Sequence, residues 1–457
     1  MTEHKKHNTV LFSAISTSFL TAFAGSALTL CVPAMGDYFH MGAASVGWII
    51  TVYAIGVAAF SVPMGKLADS TSRKNVLLIG VAVFVITSFL SIAASAGWTI
   101  IALRALQALG AAMIFATNMP IAIASAPPSK RGQTIGIVTS GVYVGLTLGP
   151  VLGGMLNHMW GWKSIFAFAG IIGIFSFAAS AAGIEDVQQK DEGSRQDVAG
   201  NIIYIIMICA IIYGLTDLNS TSFAWIILAG GLLLAIVFVK VELAASNPMM
   251  DVRLFKGNPT FSLSLLTAFF QYSSTFALSY LVSIYLQVVL GFTSQTAGII
   301  LISQPLFMAV LSPKVGKLSD RMPAYKLASA GIGLCGISLL FFAFAGRGTH
   351  LVTILIALAV AGIGTALFSS PNTNVVMSCV PPSKFGVTNS ILSATRTGGQ
   401  SFCMAIITLI VSSTVGNVSL YEAGADNLLH TMRTGFIIFT ALCLSGCLMS
   451  LQRRKVS

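Results

Sequence analysis

Acidic residues are the scarcest resource of this chain. Of 457 residues only 14 are Asp or Glu, against 25 Lys or Arg, and charged residues of both signs make up 9%, where a soluble domain carries about 25%. That deficit excludes an ordinary soluble protein. With 55% hydrophobic residues and a mean hydropathy of +0.87, the chain belongs in lipid. Other things are missing as well. No GxxxxGK[ST] loop is present, which leaves a nucleotide-driven pump unsupported, and no HExxH, Ser/His/Asp or paired-carboxylate arrangement supports an enzyme. The net charge of +11 would suit nucleic acid, but the cations sit in short turns between apolar runs rather than on a basic face with aromatics. The seven cysteines (31, 209, 335, 379, 403, 443 and 447) lie in or at the ends of apolar segments without ligand spacing, so neither disulfides nor a metal is expected. No cofactor is called for.

What is present is a series of long apolar runs. A spanning helix needs about 20 mainly apolar residues. On that rule spans fall near Val10 to Pro33, Ala44 to Pro63, Val76 to Ala96, Trp98 to Pro120, Gln133 to Leu156 and Ser164 to Gly183. The polar stretch Glu185 to Asp197 follows, then two spans near Gly200 to Thr216 and Ala224 to Val241. Six more lie near Thr260 to Val288, Ala297 to Ser312, Lys326 to Ala345, Leu351 to Cys379, Thr388 to Ser412 and Thr434 to Leu451. His4-Lys5-Lys6-His7 resembles the start of a signal peptide, but the run behind it is too long and lacks a good cleavage site, so it reads as an uncleaved first helix.

Two phrases repeat in the same order. Gly65-Lys-Leu-Ala-Asp69 returns as Gly316-Lys-Leu-Ser-Asp320, and Pro127-Pro-Ser-Lys130 returns as Pro381-Pro-Ser-Lys384, at offsets of 251 and 254 positions. A shared offset argues for a duplicated half, which in membrane transporters means two bundles around a central site. The fold expected is an all-α membrane protein of fourteen transmembrane helices: a six-helix bundle over residues 1–184, a cytoplasmic linker with an inserted central helix pair over 185–258, and a second six-helix bundle over 259–457, related to the first as a parallel repeat. With the N-terminus inside, 20 of the 25 Lys and Arg fall in cytoplasmic segments, only Lys163, Arg347 and Arg433 outside, and Arg104 and Arg396 within the membrane. Positive loops stay in the cytoplasm, so both termini are expected there, in a multi-pass protein of the plasma membrane.

Several motifs carry a resemblance. Gly65, Asp69, Arg73 and Lys74 form a charged turn between the second and third spans; Arg104-Ala-Leu-Gln107-Ala-Leu-Gly110 lies in the fourth; and Gly141, Gly145, Gly149, Pro150, Gly153 and Gly154 mark the fifth. On these residues the chain resembles major facilitator superfamily transporters. Asp197-Val-Ala-Gly200, Glu242 and Asn247-Pro248-Met249-Met250 make it similar to the fourteen-span drug:proton antiporters within them. The resemblance implies a bacterial cytoplasmic-membrane exporter, proton coupling, gating by the fifth helix, and a latch at Asp69 that pins the outward-facing state. Ser70 and Ser72 replace the usual basic residue and Gly of that turn, and Ala24 stands where this group usually has a buried Asp in its first helix.

The residues speak to the same roles more generally. Glycines at 141, 145, 149 and 153 share one helical face and allow a neighbouring backbone to approach closely. An acid at the same place in both halves (Asp69, Asp320) adds nothing to retention by positive loops, which favours a latch completed by Gly65, Arg73, Gly316 and Arg321. An arginine in mid-membrane costs about 2.5–3.5 kcal/mol on insertion scales and needs a partner, and Arg104 has Leu358 as its repeat counterpart, so a site explains it better than architecture does. A structural Arg104 bonded to helix carbonyls is the alternative. No acid lies mid-helix. Cavity-lining candidates are therefore Arg104, Gln107, Asn118, Tyr143, Gln271, Tyr272, Gln304, Asn372, Asn374 and Arg396. The function expected is secondary export of hydrophobic or amphipathic small molecules, as in multidrug efflux, by alternating access and coupled to protons. The alternatives are export of an anionic metabolite or lipid-like molecule by way of Arg104 and Arg396 and, less favoured, a non-transport sensor or enzyme.

Overall fold

The computed structural model describes residues 3–41, 43–185, 197–216, 223–245, 247–414 and 425–453. Among them are fourteen helices of 17 residues or more: α1 (Glu3–Ser26), α2 (Ala43–Ser70), α3 (Arg73–Ile92), α4 (Gly97–Ser125), α5 (Arg131–Trp160), α6 (Lys163–Gly183), α7 (Val198–Thr216), α8 (Ala224–Ala244), α9 (Pro259–Ile284), α10 (Ser303–Ser319), α11 (Ala324–Ala343), α12 (Leu351–Ser378), α13 (Phe385–Thr414) and α14 (Ala425–Gln452). Thirteen spans among the described residues are long and apolar enough to cross a membrane, so the chain is a multi-pass membrane protein. The expected span Thr388 to Ser412 falls in α13, which stands outside that set and carries Asn389, Arg396 and Gln400. Apart from its two ends, the expected linker Glu185 to Asp197 lies outside the described residues, as do the extreme chain ends.

Helix boundaries follow local chemistry. Ser72 caps α3 by accepting the Asn75 N–H at 3.1 Å, and Asn258 caps α9 by accepting the Phe261 N–H at 3.0 Å, with Pro259 at the first helical position, where its missing N–H costs nothing. Expectation and structure part at Pro33. The first span does not run through to it: α1 stops at Ser26, a 3-10 turn covers Ala27–Leu30, and Pro33 opens the first turn of a short helix, Val32–Phe39. The expected span Ala297 to Ser312 is likewise interrupted, as a short helix Ser294–Leu301 followed by α10.

Two compact units emerge. The first comprises Met1–Cys209, Leu234–Val252 and Val380–Ala394; the second comprises Ala210–Leu233, Arg253–Cys379 and Thr395–Ser457. In the first, α1 packs on α5 and α6, α2 on α4, and α3 on α4 and α6, around Leu20, Phe23, Phe84 and Ile114, all excluded from solvent. In the second, α9 packs on α14, α10 on α12, and α11 on α12 and α14, around Phe261, Phe368, Phe436 and Phe439. The pairings α2–α4, α3–α4, α3–α6 and α1–α6 in the first unit have counterparts in α10–α12, α11–α12, α11–α14 and α9–α14 in the second.

Candidate functional site

The charged end of α2 closes on the first turn of α13, within the first unit. Asp69 is 6% exposed. Its Oδ1 accepts the Gly386 N–H at 3.0 Å and its Oδ2 accepts the Val387 N–H at 2.9 Å. These are two of the donors that a helix start leaves unpaired, at the positive end of the helix dipole. Arg73 grips the same carboxylate through Nε at 2.9 Å and Nη2 at 2.8 Å, and Nη2 also donates to the Pro382 carbonyl. Such contact requires the backbones to meet. A Cβ on Gly65 would stand 2.7 Å from the Gly386 oxygen, and one on Gly386 would stand 2.6 Å from Asp69 Oδ1 and 2.9 Å from the Gly65 oxygen. Both positions must therefore be glycine. Asn389, one turn further along α13, donates to the Phe115 carbonyl of α4.

Arg104 is sealed in the same unit at 1% exposure. Its Nε donates to the Ile49 carbonyl of α2 at 3.1 Å, Nη2 to the Ala24 carbonyl of α1 at 3.2 Å, and Nη1 to Gln107 Oε1 at 2.6 Å. Gln107 donates in turn to Ser88 of α3 at 2.7 Å, and the guanidinium lies 4.2 Å from the centroid of the Tyr53 ring. One cation thereby joins α1, α2, α3 and α4 with no carboxylate. The carbonyl of Ala24, where the resemblance leads one to look for an acid, is a partner instead.

The glycine face of α5 meets α1. Added Cβ atoms would stand 2.9 Å from the Ile15 oxygen at Gly141 and 2.7 Å from the Phe19 oxygen at Gly145; at Gly149 a Cβ would meet Ser26 Oγ, and at Gly153 the Ala27 oxygen. Pro150 sits inside the helix and Gly154 is half-buried beside it. Of the remaining candidates here, Asn118 is buried and donates to Ser18 of α1 at 2.8 Å, and Tyr143 is buried at 3% exposure.

The second unit holds the other nominated residues. Gln271 donates to Thr275 at 3.1 Å and to Cys335 at 3.0 Å, and its Oε1 is without a hydrogen-bond partner. Gln304 accepts from Ser279 at 3.1 Å. Asn372 donates to the Ser264 carbonyl at 3.3 Å and accepts from Arg453 Nη1 at 2.8 Å. Arg396, half-buried, stands 5.7 Å from the centroid of the Tyr272 ring. Asn374 is half-buried, as is Asp320 at the end of α10, where Gly316 is buried and Arg321 exposed.

Residues 14–248 and 263–456 match the model of the Major Facilitator Superfamily. The chain belongs to that superfamily. The Multidrug resistance protein Stp of Mycobacterium tuberculosis is 28% identical over 89% of this chain and 77% of its own. The Riboflavin transporter RibZ of Clostridioides difficile is 25% identical over 94% of both chains. The Multidrug efflux pump LfrA of Mycolicibacterium smegmatis is 25% identical over 81% of this chain and 74% of its own. Among solved structures, the human organic anion transporter MFSD10 (TETRAN) superposes with a TM-score of 0.68 at 12% identity, covering 98% of this chain and 100% of that one; at that identity it shows the fold alone.

In this superfamily member a cavity of about 960 Å³ opens in the first unit, lined among others by His7, Arg73, Lys74, Ser125, Lys130 and Gln133. Of the nominated residues it takes only Arg73. Arg453 was not among the candidates, because in Arg453-Arg454-Lys455 it reads as an ordinary loop cation. It is 1% exposed and donates to Asn372 and to Ser264 at 3.0 Å. Burial lowers its guanidinium to about 10, so it keeps its charge at neutral pH. Gly386 and Val387 were also missed, although they closely follow a phrase that its repetition had marked.

Proposed function

We propose that this protein is a secondary transporter of fourteen spans that exports hydrophobic or amphipathic small molecules by alternating access, driven by proton entry. The observation that carries the reading is the Asp69 contact. A buried carboxylate on a turn of the first repeat holds two backbone donors of a helix start that follows a repeated phrase of the second, and the clamp is made of a few charge-assisted bonds. Bonds of that kind can open and close as a unit, which is what a two-state carrier needs. The relatives named as multidrug resistance and efflux proteins support the substrate class.

Arg104 takes a different role in this proposal from a direct ligand. Its partners are two carbonyls and a glutamine at 1% exposure, which supports a positioning residue that holds four helices of the N-terminal half together. The glycine face of α5, with Pro150, supports a helix that slides and bends against α1. A second reading, export of an anionic metabolite or lipid-like molecule, is supported by Arg396, a half-buried cation beside the Tyr272 ring. The test is uptake into liposomes holding the purified protein under an imposed pH gradient, with lipophilic cations and organic anions compared. Accumulation of cations alone supports drug efflux. Accumulation of anions alone, abolished in Arg396→Gln, would replace it by the second reading.

A further inference from the structure

The inserted helices hold a feature that neither the latch nor the Arg104 cluster uses. Asp197 caps α7: its Oδ1 accepts the Gly200 N–H at 2.8 Å. Glu242, near the end of α8 and 2% exposed, accepts the Met250 N–H through Oε2 at 2.9 Å. Each carboxylate thus satisfies one oxygen with a backbone donor. The two remaining oxygens, Asp197 Oδ2 and Glu242 Oε1, are buried and have no hydrogen-bond partner. Both lie against the same point beside Gly200. A Cβ on Gly200 would stand 2.5 Å from Glu242 Oε1 and 2.7 Å from Asp197 Oδ2, so both oxygens crowd the same small space, which is open because residue 200 is glycine. Asp197, Gly200, Glu242 and the Met250 N–H all take part in this one arrangement.

Two acceptor-only groups cannot pair with each other, and two like charges set side by side away from water repel strongly. Buried polar oxygens that lack partners call for a missing donor. Among the described residues no three His, Cys, Asp or Glu side chains come together as metal ligands, which leaves the pair short of the oxygen-rich set that a divalent cation takes. We propose that Asp197 and Glu242 bind a single proton between Oδ2 and Oε1, so that the pair carries one negative charge rather than two at neutral pH.

The charged groups that act on Glu242 are Asp197 from α7 and Lys66 from α2. Lys66 lies one turn before Asp69 on α2, so gaining or losing this proton changes the field on the helix that carries the latch. One step deeper, Tyr204 of α7 packs on Phe238 of α8 with ring centroids 5.7 Å apart, and its hydroxyl too is buried without a partner. This site does not depend on the transport reading, since it is defined by a bound proton and not by a substrate.

Infrared spectroscopy of the full-length purified protein, titrated with acid and base, reads such a proton directly through the C=O stretch of a protonated carboxyl. The expected result is a band present at pH 7 in the wild type, lost on raising the pH and absent in Glu242→Gln. In Asp197→Asn the repelling neighbour is gone, so the band should disappear at a pH lower by about one. Should either variant fail to fold, the other variant and the wild-type titration carry the same decision. A wild type with no such band between pH 6 and 8, or a band unchanged in Glu242→Gln, overturns the proposal. So does a melting temperature raised by sodium chloride over choline chloride in the wild type and not in Glu242→Gln, which would make the pair an alkali-ion site.

Discussion

Replacing Asp69 by Asn tests the latch with minimal change in shape. The carboxylate receives four contacts, two from the backbone of α13 and two from Arg73. An amide keeps one oxygen as acceptor, turns an NH2 group toward donors, and removes the charge that faces the helix start and the guanidinium. With the amide oxygen kept at the Oδ1 position, where Gly386 and Arg73 donate, the Val387 bond is lost outright and the other contacts lose their charge assistance; hydrogen bonds to a charged group contribute about 1.5–3 kcal/mol each and neutral ones about half of that, so the latched state loses about 3 kcal/mol or more. At about 1.4 kcal/mol per factor of ten, a population held at 99:1 moves to near parity. Spin labels at Thr71 and Ser383, in a background with the seven native cysteines replaced, report that shift as a second, longer distance in Asp69→Asn. Transport should fall while substrate binding in detergent persists. A single unchanged distance together with an unchanged transport rate would refute the reasoning and leave Asp69 as an ordinary helix cap.

Gly386→Ala should reproduce the Asp69→Asn distances, because the new Cβ is directed at Asp69 Oδ1 and at the Gly65 oxygen; a wild-type distribution would count against the close approach. Arg104→Ala removes its bonds to two carbonyls and leaves the buried Gln107 Oε1 without its donor, and at about 1–3 kcal/mol per unsatisfied buried group it should lower the melting temperature and transport of every substrate in parallel. Arg104→Lys should do the same to a lesser degree, and loss confined to some substrates would return Arg104 to a binding role. Gly153→Ala forces α5 from the Ala27 carbonyl and should slow transport more than it weakens substrate binding, as equilibrium binding and initial rates would reveal. Arg453→Ala leaves Asn372 Oδ1 short of its donor and should cost about 1–3 kcal/mol of stability, seen as an earlier thermal transition.

Much of the fold was legible because lipid imposes a simple rule on sequence: long apolar runs become helices, and their boundaries fall at Ser72, Asn258 and similar caps. The glycine face of α5 was legible for the same reason, since a spacing of four is a helical face whatever lies opposite. Contacts between distant residues were harder to foresee. Asp69 could be singled out as an acid without a topogenic use, but its partners are backbone N–H groups of Gly386 and Val387, and backbone donors leave no mark in composition. Arg104 was nominated for a site because a mid-membrane cation needs a partner and its repeat counterpart is Leu358; in the structure its partners include the carbonyls of Ala24 and Ile49, and every residue has a carbonyl. The same applies to Asp197 and Glu242, two acids at helix ends 45 positions apart: the motif marks each of them, and only the fold brings both to Gly200. Arg453 was hidden by its neighbours Arg454 and Lys455.

Alternating access is the central claim, and solute counterflow tests it without any driving gradient. Liposomes holding the purified protein are loaded with a high concentration of unlabelled substrate and diluted into a trace of the labelled compound at equal pH on both sides. A carrier with one site exposed to either side in turn must take up label transiently above its equilibrium level, and in Asp69→Asn the overshoot should be reduced and delayed. Label that rises only to equilibrium and never beyond it, with the same protein and substrate, would contradict the account.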